Sequence, residues 1–299
     1  MSNIGVAVGR LCYYYLVKIS KLKLFSLLGI LIINSLIFYA VYQKSDSLLR
    51  VSFLDIGQGD AIFISSPSAR QMLIDGGPDN SVLAELGKVM PFYDRSIDVV
   101  VATHPDQDHI AGLVSVLNRY SVGLFVHTGA TSSSAVYREL MKIVEDKKIK
   151  EEIIDRPEDI SLGGGADFEI LFPDKDAAHW ETNTSSIVGK LVYGKNSFLF
   201  TGDSPIAVEK YLVSKYGNLL DSDVYKAGHH GSKSSNSELF VGYVSPMYAV
   251  VSAGLNNKYG HPNKEVLDMF NKFKDNVLET MNGGMVRFQS DGIKVSLDI

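Results

Sequence analysis

Cysteine is almost absent from this chain of 299 residues. Cys12 is the only one, so an intrachain disulfide is impossible and a cysteine-built zinc site is excluded. Positive charge is scarce too, with 29 Lys and Arg against 34 Asp and Glu. Residues 1–48 hold five of the basic residues and one acidic one, which leaves 24 against 33 beyond them, a net charge near −9. A region that acidic is no bulk electrostatic trap for nucleic acid, although bound cations would offset its carboxylates. It also has no basic, aromatic-rich segment, no repeat, no low-complexity tract and no internal linker.

There is one long apolar run. Leu24 to Gln43 is a stretch of 20 residues without a charge. As a helix it would be roughly 30 Å long, enough to cross a bilayer. Arg10, Lys18, Lys21 and Lys23 precede it, and Lys44 and Arg50 follow with Asp46 between them. This bias predicts a cytoplasmic N-terminus and an extracytoplasmic C-terminal domain on a single-pass cell-membrane protein. A cleaved signal peptide is the alternative. The run is long for that, and Phe38 is bulky where a cleavage site after Ala40 would need a small residue. The expected divisions are a basic segment 1–23, an anchor 24–43 and a folded domain 44–299.

A hydrophobic content of 45% is ample for a core. From Leu49 onward short β-rich runs alternate with helical stretches. Arg50–Leu54, Ala61–Ile64, Gln71–Ile74 and Ile97–Thr103 read as strands, and so do Phe168–Phe172, Ser186–Tyr193, Ser197–Phe200 and Val224–Lys226, while Tyr248–Ala253 is a further apolar run. Ser81–Met90, Ala135–Asp146, Pro205–Lys215 and Lys264–Phe273 read as helices, and another is expected from about Ile110 to Asn118. A hairpin around Asp291-Gly292 closes the chain. The pattern predicts one α/β domain of two sheets with helices outside.

The densest chemistry lies in His104-Pro105-Asp106-Gln107-Asp108-His109, which follows an apolar strand. Two imidazoles and two carboxylates within six residues suit a two-metal cluster better than a single ion. Asp203 stands at another strand end. It could bridge two ions, or, taken alone, cap the helix that follows. His229 and His230 follow a third strand, and on an extended segment adjacent side chains diverge, so one ligand and one substrate-facing imidazole are expected. Ser232 and Lys233 next to them suit phosphate contact. His261 could be a metal ligand, a substrate-contacting acid or an ordinary loop histidine. Asp75, at the end of its strand, could accept a hydrogen bond from a metal-bound imidazole. His127 and His179 show no such pattern.

Taken in order, these pieces resemble the metallo-β-lactamase superfamily, and within it the hydrolase domain of the ComEC-type competence proteins. The resemblance covers roughly residues 50–290. It rests on Phe53-Leu54-Asp55-Ile56-Gly57-Gln58-Gly59-Asp60-Ala61, Leu73-Ile74-Asp75-Gly76-Gly77, the His104–His109 motif, Asn183 with Ser185, Thr201-Gly202-Asp203, His229-His230-Gly231-Ser232 and Tyr259-Gly260-His261-Pro262. It implies an αβ/βα sandwich behind the N-terminal span, with two divalent ions at one sheet edge. By resemblance, His104 and Asp106 hold one ion, Asp108 and His109 the other, Asp203 bridges, and His229 completes the second site. Asp106 stands where the wider superfamily has histidine but agrees with the competence branch. Asn183, expected beside the substrate, also replaces a histidine. More oxygen and fewer nitrogen ligands favour Mn²⁺ alongside Zn²⁺.

The expected activity is hydrolysis of a phosphodiester, with DNA as substrate, Asp108 handling the water proton, and His261, His230, Ser232 and Lys233 contacting the substrate. A cell-envelope phosphodiester and a non-enzymatic, metal-stabilised binding module at the membrane are the alternatives. β-Lactam or thioester hydrolysis fits the ligand set less well. The competence proteins are large and polytopic. A single span presents a hydrolase at the membrane without forming a conduit, and no protein partner is implied.

Overall fold

The computed structural model describes residues 21–39 and 48–298. The first 20 residues of the expected basic segment, the last four of the expected span 24–43, and the flanking Lys44 and Asp46 lie outside the described residues. The chain divides into two units, Met1–Asp46 and Ser47–Ile299. In the first, helix α1 (Lys21–Tyr39) is long and apolar enough to cross a membrane.

The second unit builds two sheets from alternating side chains. The first sheet contains β1 (Leu49–Phe53), β2 (Ile62–Ser65), β3 (Gln71–Ile74), β4 (Ser96–Val101), β5 (Ser121–His127) and β6 (Lys150–Ile153). The second contains β7 (Glu158–Gly163), β8 (Ala166–Phe172), β9 (Val188–Tyr193), β10 (Asn196–Phe200), β11 (Val224–Lys226), β12 (Tyr248–Val251) and β13 (Asn276–Glu279). The chain then returns to the first sheet as β14 (Val286–Ser290) and β15 (Val295–Leu297), giving the order β15-β14-β1-β2-β3-β4-β5-β6 opposite β13-β12-β11-β10-β9-β8-β7. The strands from β3 to β6 and from β10 to β13 run parallel.

Period-two alternation sorts the core into layers. Val51, Phe53, Ile62, Ile64, Met72, Ile74, Val99 and Val101 face Phe168, Ile170, Leu191, Phe198, Phe200 and Val250 between the sheets. The alternate residues Phe63, Leu73 and Val100 face outward, onto Leu86 of α2 (Ser81–Val89) and Ile110, Leu113 and Leu117 of α3 (Gln107–Arg119). Helix α4 (Ala135–Asp146) joins that outer layer through Leu140 and Ile143. On the other side Leu199, Tyr225, Ala249 and Val251 meet α5 (Ile206–Tyr216), α6 (Glu238–Val244) and α7 (Lys264–Phe273). A short α8 (Thr280–Gly283) follows β13. This is the αβ/βα sandwich, with each helical layer covering the outer face of one sheet.

Two departures from the sequence pattern affect the site. Helix α3 begins at Gln107, with extended Asp106 as its N-cap residue, three positions earlier than expected. Asp108 and His109 therefore sit on its first helical turn, and Asp106 O accepts from the backbone N–H of both His109 and Ile110. The segment after β11 is not extended at the His pair. His229 and His230 both adopt the left-handed region, with φ of 48° and 55°.

Candidate metal centre

The site collects at the carboxyl ends of the strands. β3 delivers Asp75, β4 delivers His104, β10 delivers Asp203 and β11 delivers the His pair. Asp203 is the hub. Its Oδ1 lies 3.4 Å from His109 Nε2, and its Oδ2 lies 3.5, 3.7 and 3.9 Å from the Nε2 atoms of His229, His230 and His104. Asp106 Oδ2 lies 3.8 Å from His104 Nε2, and Asp108 Oδ2 lies 3.4 Å from His230 Nε2. The helix-cap reading of Asp203 is not met: the N-cap residue of α5 is Pro205, with no side-chain cap bond.

Each ring is aimed by a partner on its far side. Asp75 is fully buried, and its carboxylate accepts from Thr103 N at 2.8 Å and Thr103 Oγ1 at 2.7 Å while pairing with His109 Nδ1 at 2.8 Å. That leaves His109 Nε2 pointing at Asp203. His104 Nδ1 lies 3.0 Å from Thr103 Oγ1, which frees its Nε2 in the same way. His230 Nδ1 faces Asp60 Oδ1 at 3.3 Å, and the other Asp60 oxygen meets Lys226 Nζ at 2.9 Å. Lys226 is fully buried and also donates to Ala227 O at 2.9 Å. His229 Nδ1 lies 3.1 Å from Ser234 Oγ.

The electrostatics follow from burial and neighbours. Burial pushes the Asp203 carboxyl up, but His230 and His109 outweigh it and hold it well below the ordinary range. Burial likewise opposes Asp60, and Lys226 and His230 win, keeping it ionised. Burial lowers His109, yet Asp203 and Asp75 lift it well above 6.5. His230 is also lowered by burial and raised more strongly by Asp203 and Asp60, to about 9. Burial, with His109 adjacent, takes His104 down to about 4. Asp108 is raised by burial and lowered further by His230 and His109, to about 2.

The donor set fits divalent cations. The buried atoms His104 Nε2, His109 Nε2, Asp203 Oδ1 and His230 Nε2 have no hydrogen-bond partner, and a buried polar group without a partner is costly. Asp60, His109, Asp203 and His230 offer ligand atoms within 4.8 Å of one another. Two ligands on one tetrahedral ion with bonds of about 2.1 Å stand roughly 3.4 Å apart. The separations around Asp203 begin at that value. Because its two oxygens face different imidazoles, Asp203 is placed to serve two ions.

The structure draws together His104, Asp106, Asp108, His109, Asp203, His229 and His230, with Asp75 behind them. It brings both members of the His pair to Asp203, His229 at 3.5 Å and His230 at 3.7 Å. His230 is 1% exposed and belongs to the buried group, whereas the His229 side chain is 26% exposed. The expectation assumed an extended backbone, and two successive left-handed residues turn both rings toward Asp203 instead. His261 lies at the rim, its ring centroid 5.4 Å from that of His229, and burial with His229 and His230 nearby lowers it from 6.5. Ser232 Oγ turns to Ser234 Oγ at 3.0 Å, Lys233 is exposed, and Asn183 keeps a buried Oδ1 without a partner.

Sequence reasoning missed three buried residues: Asp60, Lys226 and Asn236. Asn236 Nδ2 donates to Gly228 O at 2.8 Å and Ser232 O at 3.0 Å, and its Oδ1 accepts from Gly228 N at 2.9 Å, so it clasps the His-pair loop. Asp60 stood inside a quoted motif, and Lys226 is a charge ending an apolar strand, a signal that could have been read. Asn236, in a serine-rich loop, carried none. Gly59, with φ of 131°, lets this neighbourhood close, since a Cβ there would lie 2.1 Å from Asp108 O.

Residues 54–254 match the metallo-beta-lactamase superfamily, and the chain belongs to it. Its fold is also that of Igni18, a metallo hydrolase from Ignicoccus hospitalis, with a TM-score of 0.54, 14% identity, and coverage of 80% of this chain and 98% of that one. Within the superfamily the chain is similar to competence proteins. It is 30% identical to ComE operon protein 3 of Bacillus subtilis, covering 83% of this chain and 34% of that protein. It is 28% identical both to competence protein ComA of Neisseria gonorrhoeae, covering 87% and 35%, and to recombination protein 2 of Haemophilus influenzae, covering 82% and 29%. The chain thus spans about a third of the length of these relatives.

Proposed function

We propose that this protein is a membrane-anchored, two-metal phosphodiesterase acting on DNA. The observation that carries the reading is the ring of imidazole and carboxylate atoms without hydrogen-bond partners around Asp203. His104, Asp106 and Asp203, with His229 in reach, would hold one ion. Asp108, His109, His230 and the shared Asp203 would hold the other. The mixed nitrogen and oxygen set suits Mn²⁺ or Zn²⁺. Bound there, two such ions supply Lewis acidity for a phosphoryl oxygen and lower the pKa of water.

The chain's own residues do the rest. Asp108, held as a carboxylate with its side chain 31% exposed, orients a water and takes its proton at Oδ2. His261 and Lys233, on the outer side of the His pair, meet the phosphate charge. Asp75 and Asp60 fix the rings of His109 and His230, so the ligands need not reorganise. Helix α1 would anchor the domain, and the basic residues at and before its start, Arg10, Lys18, Lys21 and Lys23, favour a domain outside the cytoplasm. DNA is favoured because two relatives that match most of this chain are named for competence and for recombination.

The test is to assay the purified full chain, loaded with Mn²⁺ or Zn²⁺, on single-stranded DNA, duplex DNA and bis(p-nitrophenyl) phosphate, beside Asp108→Ala. Metal-dependent cleavage of DNA by the wild type alone is expected. Cleavage of the small diester only would move the substrate to another phosphodiester, such as a cell-envelope polymer. Equal background rates for both proteins on all three would refute the enzymatic reading.

A further inference from the structure

Two grooves border the centre, and each presents an aromatic ring with a lysine on it. The larger is about 580 Å³ and is lined by Phe172, Trp180 and Tyr211 together with Lys175, Thr184 and Ala207. Phe172 packs on Trp180 and on Tyr211 at ring separations of 5.6 and 6.0 Å. Lys175 Nζ lies 5.5 Å from the Trp180 ring centre, and Lys215 Nζ lies 5.6 Å from that of Tyr211. The second groove, about 450 Å³, is lined by Asp108 itself, with Gln58, Lys258 and Tyr259. Lys258 Nζ stands 4.9 Å from the Tyr259 ring centre, and that ring, 54% exposed, stacks on His261.

Both grooves are tied to the metal loops by short pieces of chain. From Thr184 the backbone runs to Ser186, whose Oγ accepts from Asp203 N at 3.2 Å, and to Ile187, whose N–H donates to Thr103 O at 3.0 Å. Ala207 lies four residues after Asp203, at most about 14 Å of extended chain. The second groove needs no such tie, because Asp108 forms part of its wall.

The chemistry of the walls selects the guest. An aromatic face can hold a cation or another π-surface. Here the exposed Lys175 and Lys258 put positive charge beside Trp180 and Tyr259. A quaternary ammonium group would meet like charge, whereas a planar neutral base with a phosphate attached meets a ring and an opposite charge. The carboxylates beside Trp180 are occupied: Asp174 pairs with Tyr211 and Lys215, and Glu181 accepts from Thr184 N and Oγ1 at 2.9 Å each.

We propose that Trp180 with Lys175, and Tyr259 with Lys258, are two stacking platforms that grip unpaired nucleobases beside the phosphodiester held at the metal centre. This rests on the phosphodiesterase reading and sharpens it: the substrate is a single strand or a frayed end. Bases in a duplex are already paired and stacked and cannot enter either groove without being pulled out. The platforms also give an acidic domain a way to hold a polyanion that does not depend on net charge.

Trp180 is the only tryptophan in the chain, so tryptophan emission reports on the larger platform alone. The experiment titrates the metal-free full chain in detergent with oligothymidylate, and with an abasic oligodeoxyribose phosphate of equal length and charge. Saturable quenching by oligothymidylate, with about tenfold weaker binding of the abasic strand, is expected. Tyr259→Ala should weaken oligothymidylate binding severalfold. In metal-loaded protein Trp180→Ala should raise KM for oligothymidylate about tenfold, and Trp180→Phe should restore most of the loss. Equal affinity for both strands, or quenching by choline but not by oligothymidylate, would overturn the platforms even if the wild type cleaves DNA. Quenching by oligothymidylate in a protein that cleaves no phosphodiester would uphold the platforms and remove the catalytic reading.

Discussion

The two loops that bring histidines to the centre are built on opposite principles. The His104–His109 loop passes from β4 straight into α3, and its geometry is that of an ordinary strand-to-helix junction. One buried carboxylate, Asp75, ties Thr103 to His109. The Gly228–Gly231 loop leaves β11 into two non-glycine left-handed residues, a conformation that costs about 1–2 kcal/mol per residue. It is held by a buried polar network, with Asn236 on its backbone and the Asp60–Lys226 pair behind His230. Regular secondary structure preorganises the first loop. The second depends on every member of its network being satisfied.

The largest effect should come from the residue both loops share. Asp203→Ala removes the carboxylate common to four imidazoles, so elemental analysis should find both metals depleted and turnover reduced by at least about 10²-fold. Retention of two ions per chain would show that the loops hold metal independently.

The next test separates the adjacent histidines. His230→Ala should lose about one metal equivalent, and turnover should fall on the order of 10²-fold. His229→Ala, altering the more exposed ring, should retain more metal than His230→Ala. The opposite ranking in a metal titration would make His229 the stronger ligand of the two.

The carboxylates behind the two loops should then fail differently. Asp60→Asn leaves Lys226 as an uncompensated buried charge, a change that typically costs about 3–5 kcal/mol. Asp75→Asn leaves His109 still paired with Asp203 and should cost about 1–2 kcal/mol, while weakening metal affinity about 10–100-fold. Denaturant melts of the metal-free variants compare the two costs, and equal losses would erase the contrast between the loops.

The smallest effect is on pH dependence. His230 is raised from 6.5 to about 9 in the folded protein and His109 is raised as well, so their contribution to stability is complete below pH 6.5 and fades as pH rises through about 9. His104, lowered to about 4, contributes fully above pH 6.5 and does not offset that loss. The melting temperature of metal-free protein should therefore fall between pH 6.5 and 9, and bound metal, replacing the protons, should flatten the trend. A flat profile without metal would remove the electrostatic picture.

Short buried strands bounded by turns were legible. Gln71–Ile74 and Val224–Lys226 fall where the sequence places them, as do helices Ala135–Asp146 and Lys264–Phe273. Charged edge strands were not. β6 and β7 carry the charged sequences Lys150-Glu151-Glu152 and Glu158-Asp159, and edge positions tolerate charge because one side of the strand is unpaired. The first metal loop could be read because its residues are contiguous and follow regular elements. The path of the second could not, because its left-handed turn is held by Asn236, Asp60 and Lys226 from elsewhere in the chain.

The short turn around Asp60 has a consequence for the order in which the protein comes into being. Gln58 Oε1 accepts from Gly254 N at 3.1 Å across a sequence separation of 196, and Asp60 reaches Lys226 on the opposite sheet and the backbone of Asp108 on its own. During synthesis this turn leaves the ribosome early and waits for partners made much later. A nascent chain that has already produced His104 to His109 still lacks Asp203, His230 and Lys226. The candidate metal centre is completed only when the second sheet closes, so an unfinished chain lacks it.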